Sequence, residues 1–276
     1  MDVLNDDSLP ENIRKLWSVL YGSAASENLS GFVLVGGTAL SLRIGHRISE
    51  DLDFIWAHDD SLHDVKLPRQ KIDKAIFCLR NEYGFHAEKI SHPAEEDDFI
   101  NDGLDLDDFQ QDYVINGTKI TFFYASPDAS AVLSGIHSSP EEPLRVATTQ
   151  EIFFLKTMLI MERTKSRDYF DLYTLLKSHH ADLNEAKSVI MASSTYNAWD
   201  VFMKRLSTLP VMKHDEGYHQ LMNNDAQCPS LEDMREFFKD RIDAINLTSV
   251  NESCTDPESH LSNDPTRIAR KSTNKP

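Results

Sequence analysis

Two acids spaced two apart, placed just after a strand that runs into a glycine pair, constrain this chain more than any other feature. Phe32-Val33-Leu34-Val35 is a continuous apolar run stopped by Gly36-Gly37, the pattern of a buried strand that ends at a tight turn. Thr38 to Ile44 then reads as a helix closed by Gly45. From Leu52 to Trp56 the pattern alternates, with Leu52, Phe54 and Trp56 on one face and Asp51, Asp53 and Ile55 on the other. The two carboxylates therefore project from the same face close enough to repel, and a cation is expected beside them. An oxygen-only pair suits Mg²⁺, which takes one or two protein carboxylates and fills its other positions with water and substrate phosphates. The Gly36-Gly37-Thr38 turn offers backbone N–H groups and a hydroxyl at a helix N-terminus, where an anion is favoured. Either motif alone is weak evidence. Their contiguity over residues 31–54 makes the combination specific.

The chain around this block has 276 residues, 40% of them hydrophobic, enough for a real core. Its 28 Lys and Arg against 45 Asp and Glu leave a net charge of −17, which disfavours a protein that coats nucleic acid by bulk electrostatics. Residues 92–112 hold nine acids and no Lys or Arg and are expected to form a surface loop or solvated helix. The opening MDVLNDDSLPEN carries acids where a secretory signal carries bases, and no apolar run approaches a membrane span. A cytoplasmic protein without membrane contact is expected. Ser8 and Glu11 form a capping-box pattern ahead of a helix burying Ile13, Leu16, Trp17 and Leu20. Helix is expected over 70–83 and strand over 85–90, and Asn116-Gly117 joins strands 113–115 and 119–124 as a hairpin. From residue 149 the pattern is helical: 150–163, 167–178, 183–192, 198–207 and 231–245. The fold class is α+β, a mixed-sheet lobe over 1–148 followed by an all-helical lobe over 149–248, with a polar tail over 249–276 lacking apolar residues to bury.

Other chemistry-bearing residues leave alternatives open. Lys156 lies on an otherwise apolar helix, so it either reaches a partner or snorkels outward. Asp168 and Asp171 share a helical face; they either serve a site or pair with Arg167 or Arg163 to tie two helices together. Arg43 and Arg47 lie between the glycine turn and the acids, placed to meet the metal acids, a nucleotide or a structural partner. His58, Asp59, Asp60, His63 and Asp64 match no zinc template, and Cys78, Cys228 and Cys254 read as free thiols. No Walker A, Gly-x-Ser-x-Gly or Gly-x-Gly-x-x-Gly sequence occurs, which argues against P-loop, hydrolase and dinucleotide-binding readings.

The run GGTALSLRIGHRISEDLDF, residues 36–54, resembles the signature of the AbiEii/AbiGii nucleotidyltransferase-type toxins, of the polymerase-β-like nucleotidyltransferase superfamily. The later helix carrying Lys156 and the run Arg167-Asp168-Tyr169-Phe170-Asp171-Leu172 match the family's continuation. The resemblance implies a polymerase-β-like N-terminal lobe in which Gly36, Gly37 and Thr38 hold a triphosphate, with Arg47 and Ser49 beside them. It implies that Asp51 and Asp53 bind the catalytic Mg²⁺ or Mn²⁺, that Lys156 contacts the phosphates, and that Asp168 orients Lys156 or the acceptor. Many members of the superfamily place a third carboxylate on a later strand, and the candidate strand 119–124 has none. The implied activity is transfer of NMP from an NTP to an RNA, most plausibly a tRNA end, by a toxin held in check by a cognate antitoxin. Lys66, Arg69, Lys71, Lys74, Lys165, Arg167, Lys204, Arg205 and Lys213 are the candidate RNA contacts. The alternatives are nucleotidylation of a protein or small molecule, with the 92–112 segment lining an acidic cleft, and a degenerate module that only binds nucleotide or a partner.

Overall fold

The computed structural model describes residues 4–57, 66–133, 144–193, 198–211, 215, 217–218 and 228–253. Its centre is a six-stranded mixed sheet in the order β3-β4-β5-β2-β1-β6. The strands are β1 (Phe32–Val35), β2 (Asp51–Trp56), β3 (Ala87–Ile90), β4 (Gln110–Ile115), β5 (Thr118–Tyr124) and β6 (Arg145–Val146). β1 pairs with β2 antiparallel and with β6 parallel, β2 pairs with β5 parallel, and β4 pairs antiparallel with both β3 and β5. All four residues of β1 are buried, as its continuous apolar run requires. In β2, Leu52 and Phe54 are fully buried while Asp51 and Asp53 remain partly exposed on the opposite face. At the hairpin, Asn116 and Gly117 have φ of 47° and 83°, the two positive angles of a type I′ turn.

The helices are α1 (Glu11–Gly22), α2 (Ala24–Asn28), α3 (Gly36–Ile44), α4 (Arg69–Asn81), α5 (Pro93–Asn101), α6 (Pro127–Leu133), α7 (Thr149–Glu162), α8 (Ser166–Lys177), α9 (Leu183–Ser193), α10 (Ala198–Thr208) and α11 (Leu231–Ser253). Ile13, Leu16, Trp17 and Leu20 of α1 are buried as their spacing demands. One apolar cluster joins Trp17, the sheet residues Phe32, Phe54 and Phe122, and Phe202 and Phe238 of the later helices. α7 packs against both α3 and α8, so the helix carrying Lys156 is seated directly on the glycine-turn helix. No helix among the described residues is long and apolar enough to cross a membrane.

Three expectations need correction. Ser8 and Glu11 do not form a capping box: α1 begins at Glu11 with Pro10 at its N-cap, so Ser8 lies outside the helix. Its hydroxyl donates instead to the carbonyls of Asn5 and Ser41, fastening the N-terminal segment to α3, and Glu11 pairs with Lys15. The acidic stretch is solvated over α5, which buries nothing, but its end enters the sheet and Asp112 is 1% exposed. α11 runs through Ser253, past residue 249 where the tail was expected to start. The His/Asp cluster at 58–64, Cys254 and the rest of the tail lie outside the described residues; Cys78 and Cys228 are free thiols.

The entry into α7 is fixed by a buried pair. Glu151 closes a capping box with Thr148, and both its oxygens accept from Arg145 Nη1, at 2.7 and 2.8 Å. Arg145 also donates to the Leu133 carbonyl at 2.8 Å, linking the end of α6, β6 and the start of α7. Glu151→Ala removes the cap and leaves a buried guanidinium without its carboxylate, which costs about 3–5 kcal/mol. The expected outcome is a lower urea midpoint at pH 7 with an unchanged denaturant slope; an unaltered midpoint counts against this anchor.

Candidate active site

The turn from β1 into α3 is shaped by close approach. Gly36 has φ of +74°, and a Cβ there would lie 2.8 Å from Asp53 Oδ2. A Cβ on Gly37 would lie 2.5 Å from Arg47 Nη2 and 2.9 Å from Ser49 Oγ. Only glycine lets the backbone sit this close to the acid and the guanidinium. α3 has no side-chain N-cap, so the N–H groups of its first turn lack intrahelical partners and point out of the helix end. Thr38 departs from expectation. Its hydroxyl donates to the Asp51 carbonyl and the residue is 1% exposed, so it ties α3 to β2 rather than facing a ligand.

Beside this turn opens a cleft of about 820 Å³. Of the residues that the resemblance assigns to the nucleotide and metal, Gly36, Gly37, Arg47, Ser49, Asp51, Asp53 and Lys156 line it, and Thr38 and Asp168 do not. Asp51 and Asp53 contribute two neighbouring carboxylates. Burial pushes the Asp53 carboxyl above its ordinary value and repulsion from Asp51 adds to this, while Lys156, Lys119 and Arg163 draw it down. Such a pair is relieved by a bound cation, and oxygen donors at a helix N-terminus that also accommodates phosphate fit Mg²⁺ or Mn²⁺. Among the described residues no trio of His, Cys, Asp or Glu is placed to hold a metal; Glu50, Asp128 and Glu162 also line the cleft.

Behind the cleft wall lies a buried network of charges. Lys156 does not snorkel: its ammonium is 2.6 Å from Asp168 Oδ1 and 2.8 Å from Asp171 Oδ2. Arg163 donates to both oxygens of Asp168, at 2.7 and 3.1 Å, so the helix-tying pair uses Arg163. Arg47 meets neither Asp51 nor Asp53; it forks onto Asp171 at 2.8 and 3.0 Å. His46 Nε2 reaches the same carboxylate at 2.7 Å. Burial pushes Asp171 up, but Arg47, Lys156 and His46 together outweigh it and hold this carboxyl well below the ordinary range. Asp168 is likewise held low, by Lys156 and Arg163 against burial. Arg43 also differs from expectation, because it donates to the carbonyls of Val146 and Ala147 and thereby secures the segment leading into α7.

Sequence reasoning missed Lys119 as a cleft residue and Arg163 as more than a helix tie; both line the cleft. Lys119 was legible only through the β2–β5 register, which sets it beside Asp51. The proposed RNA contacts divide. Lys66 and Arg69 pair with acids of 105–108, Lys71 donates to the Ser30 carbonyl over Trp56, and Arg205 donates to the Ile160 carbonyl. Lys165 and Arg167 line the cleft, and Lys213 lies outside the described residues. Of the 92–112 segment, only Gln110 reaches the cleft, so that segment does not form an acidic wall.

With this geometry in hand, the comparisons define the class. The family described as nucleotidyl transferase AbiEii toxin, type IV toxin–antitoxin system, matches residues 18–245. The chain belongs to that family and is a nucleotidyltransferase. An uncharacterised protein of Aquifex aeolicus (strain VF5) is 26% identical over 212 residues, covering 76% of this chain and 86% of that protein. A solved nucleotidyltransferase candidate from H. pylori aligns with a TM-score of 0.44 at 19% identity, over 82% of this chain and 93% of its own. Family membership carries with it an NTP substrate, an antitoxin partner and the divalent-metal chemistry general to such transferases.

Two stability effects follow. The depressed Asp171 and Asp168 contribute stability that is present above the unfolded value of 3.8 and is lost as pH falls through their lower folded values. Asp171→Ala leaves Arg47 and Lys156 buried beside a lost partner and costs about 3–5 kcal/mol at pH 7, with a smaller loss against wild type in acid; equal losses at both pH values would contradict the network. Asp53 has the opposite sign. Its raised carboxyl is a liability once ionised, so Asp53→Asn raises the melting temperature of the metal-free protein at neutral pH, and the gain shrinks as pH falls through the raised folded value and is gone below the unfolded 3.8. A lower neutral-pH melting temperature for that variant would refute the assignment of strain to this acid.

Proposed function

We propose that this chain is a Mg²⁺- or Mn²⁺-dependent transferase that moves NMP from an NTP to a hydroxyl of an RNA, a tRNA end, as the toxin that a cognate antitoxin restrains. One observation carries the reading: the Asp53 carboxylate lies against Gly36 closely enough to exclude a Cβ, so the acid pair and the open first turn of α3 adjoin in one cleft. A triphosphate laid on the N–H groups of Gly36, Gly37 and Thr38 would have Asp51 and Asp53 at its side, with Arg47 and Ser49 supporting the turn from behind Gly37. Two of the three Lys156 donors engage carboxylates, which leaves the third for a phosphate oxygen in the cleft. Asp168 and Asp171 hold that ammonium in place; Arg163 adds a second cation whose side chain is 41% exposed. A divalent ion on the acid pair supplies charge neutralisation and substrate alignment. The acceptor oxygen then bonds to the α-phosphorus, the bond to the bridging oxygen breaks, pyrophosphate leaves and the acceptor proton passes to water.

The acceptor is read from charge. The chain as a whole is acidic, but the α7–α8 connection and the first turn of α8 bring Arg163, Lys165 and Arg167 to the cleft, a local basic rim of the kind that positions a phosphate backbone. No acid of the 92–112 segment lines the cleft, so that segment lends no support to a cationic small-molecule acceptor.

The test incubates the protein with Mg²⁺, each α-labelled NTP in turn and total bacterial RNA, beside the Asp51→Ala/Asp53→Ala double variant. Label is expected in RNA, at a level at least a hundredfold above the variant. Label in protein instead would move the acceptor and keep the chemistry, while equal labelling by the variant would remove the acid pair from the mechanism.

A further inference from the structure

One lateral row of the sheet crosses the floor of the cleft. The register sets Val35, the residue before the glycine turn, beside Asp53, Asp53 beside Thr121, and Thr121 opposite Asp112. Adjacent strands lie about 4.8 Å apart and directly paired residues share a face, so the row reads glycine turn, acid, hydroxyl, acid. Asp53 and Thr121 both line the cleft. Asp112, 1% exposed, accepts from Thr121 Oγ1 at 2.5 Å, from Gln110 Nε2 at 2.6 Å and from His92 Nε2 at 2.8 Å. Burial raises its carboxyl, but the Thr121 and Gln110 hydrogen bonds, the Lys119 charge and His92 outweigh it and hold Asp112 below its ordinary value. An ionised carboxylate only accepts, so the proton between the two groups belongs to Thr121 and is committed to Asp112. Among the described residues nothing donates to Thr121 Oγ1. To a ligand this oxygen therefore offers lone pairs alone.

The direction of the reaction gives that oxygen a role, which rests on the proposed seat of the triphosphate on Gly36, Gly37 and Thr38. The departing pyrophosphate then lies at the β1 end of the row. In-line displacement sets the attacking and leaving oxygens on opposite sides of the phosphorus, so the attacking oxygen approaches over β5. Two polar side chains of β5 flank that approach, Lys119 beside Asp51 and Thr121 beside Asp53. The ammonium can only donate, and the attacking hydroxyl needs an acceptor for its own proton. Glu50, Asp128 and Glu162 also line the cleft, but they are exposed and lie off this row, before β2, in the first turn of α6 and at the end of α7. A group on a strand, locked by a buried partner, holds a reacting atom more tightly than such side chains do.

We infer that Thr121 Oγ1 receives the hydrogen bond of the attacking RNA hydroxyl, and that Asp112 is the positioning residue that aims it. The RNA oxygen bonds to the α-phosphorus, the bond to the bridging oxygen breaks, and pyrophosphate leaves with that electron pair. The proton of the attacking hydroxyl passes to water, and Thr121 keeps its own proton directed at Asp112.

The test follows labelling of total bacterial RNA with Mg²⁺ over a range of α-labelled NTP concentrations, beside equilibrium binding of the matching α,β-methylene NTP. Thr121→Val is expected to lower the maximal rate roughly a hundredfold, with the half-saturating NTP concentration and the affinity for the analogue unchanged. Thr121→Ser restores the oxygen and should recover most of the rate. Asp112→Asn should slow the wild-type chain but slow Thr121→Val no further, because it acts through that hydroxyl. Circular dichroism verifies that each variant folds. Full-rate labelling by Thr121→Val would overturn the inference and leave the proposed function standing, and a loss in Glu50→Gln, Asp128→Asn or Glu162→Gln in its place would hand the hydroxyl to an exposed acid. Analogue binding lost in step with labelling would make Thr121 part of the NTP seat and overturn the inference too. No label in RNA from the wild type would overturn the proposed function and the inference together.

Discussion

Asp171 is the point on which the rest of the site hangs. Its carboxylate is wholly buried and accepts from His46 and Arg47, which precede β2, and from Lys156 of α7. Three parts of the chain more than a hundred residues apart at their extremes thus meet on two oxygen atoms. A buried carboxylate with three donors and two formal cations is tolerable only because each lone pair is used. The same arrangement fixes where Arg47 lies, and Arg47 Nη2 sets how close the Gly37 backbone must come. Lys156 then shares its ammonium with Asp168, which is held in turn by Arg163. The chain of contacts runs from the core to the cleft with no unpaired charge until it reaches Asp51 and Asp53.

That contrast separates structural from functional charge. The Asp168 and Asp171 carboxyls are held below their ordinary values by cations, whereas Asp53 is pushed up by burial and by Asp51. All three acids are in low-dielectric surroundings, and the difference is whether the fold itself provides the counter-charge. Where it does, the acids join helices. Where it does not, the fold accepts a destabilising pair, as sites that await a ligand commonly do.

Much of this was legible in the sequence because the deciding contacts are local. The β1–turn–α3 unit and the face shared by Asp51 and Asp53 follow from periodicities of a few residues, and the hairpin at Asn116-Gly117 follows from the positive φ its turn needs. That Lys156 must either reach a partner or snorkel followed from the cost of burying an ammonium, but which of the two did not. The rest depends on placement. Whether Thr38 faces a ligand or the Asp51 carbonyl is set by how α3 rotates against β2, and whether Arg47 meets Asp53 or Asp171 by where α8 docks. Lys119 and Asp112 gained their meaning only from strand order and register, since a slip of one residue would have turned both away from the cleft face.

The register also bears on how an acidic protein handles polyanionic substrates. With a net charge of −17, long-range attraction of RNA or NTP is absent, and at physiological ionic strength fields fade within about 8 Å. Binding must then come from charges inside that distance. Lys119, Lys156, Arg163, Lys165 and Arg167 all line the one cleft that also holds the acid pair. The acids of α5, by contrast, are solvated and lie on a helix that contributes nothing to the cleft lining. The cleft itself mixes the two signs, with Glu50, Asp51, Asp53, Asp128 and Glu162 among its cations. A divalent ion on the acid pair would add positive charge where a phosphate is to lie, so a metal and an anionic substrate bound there would each favour the other.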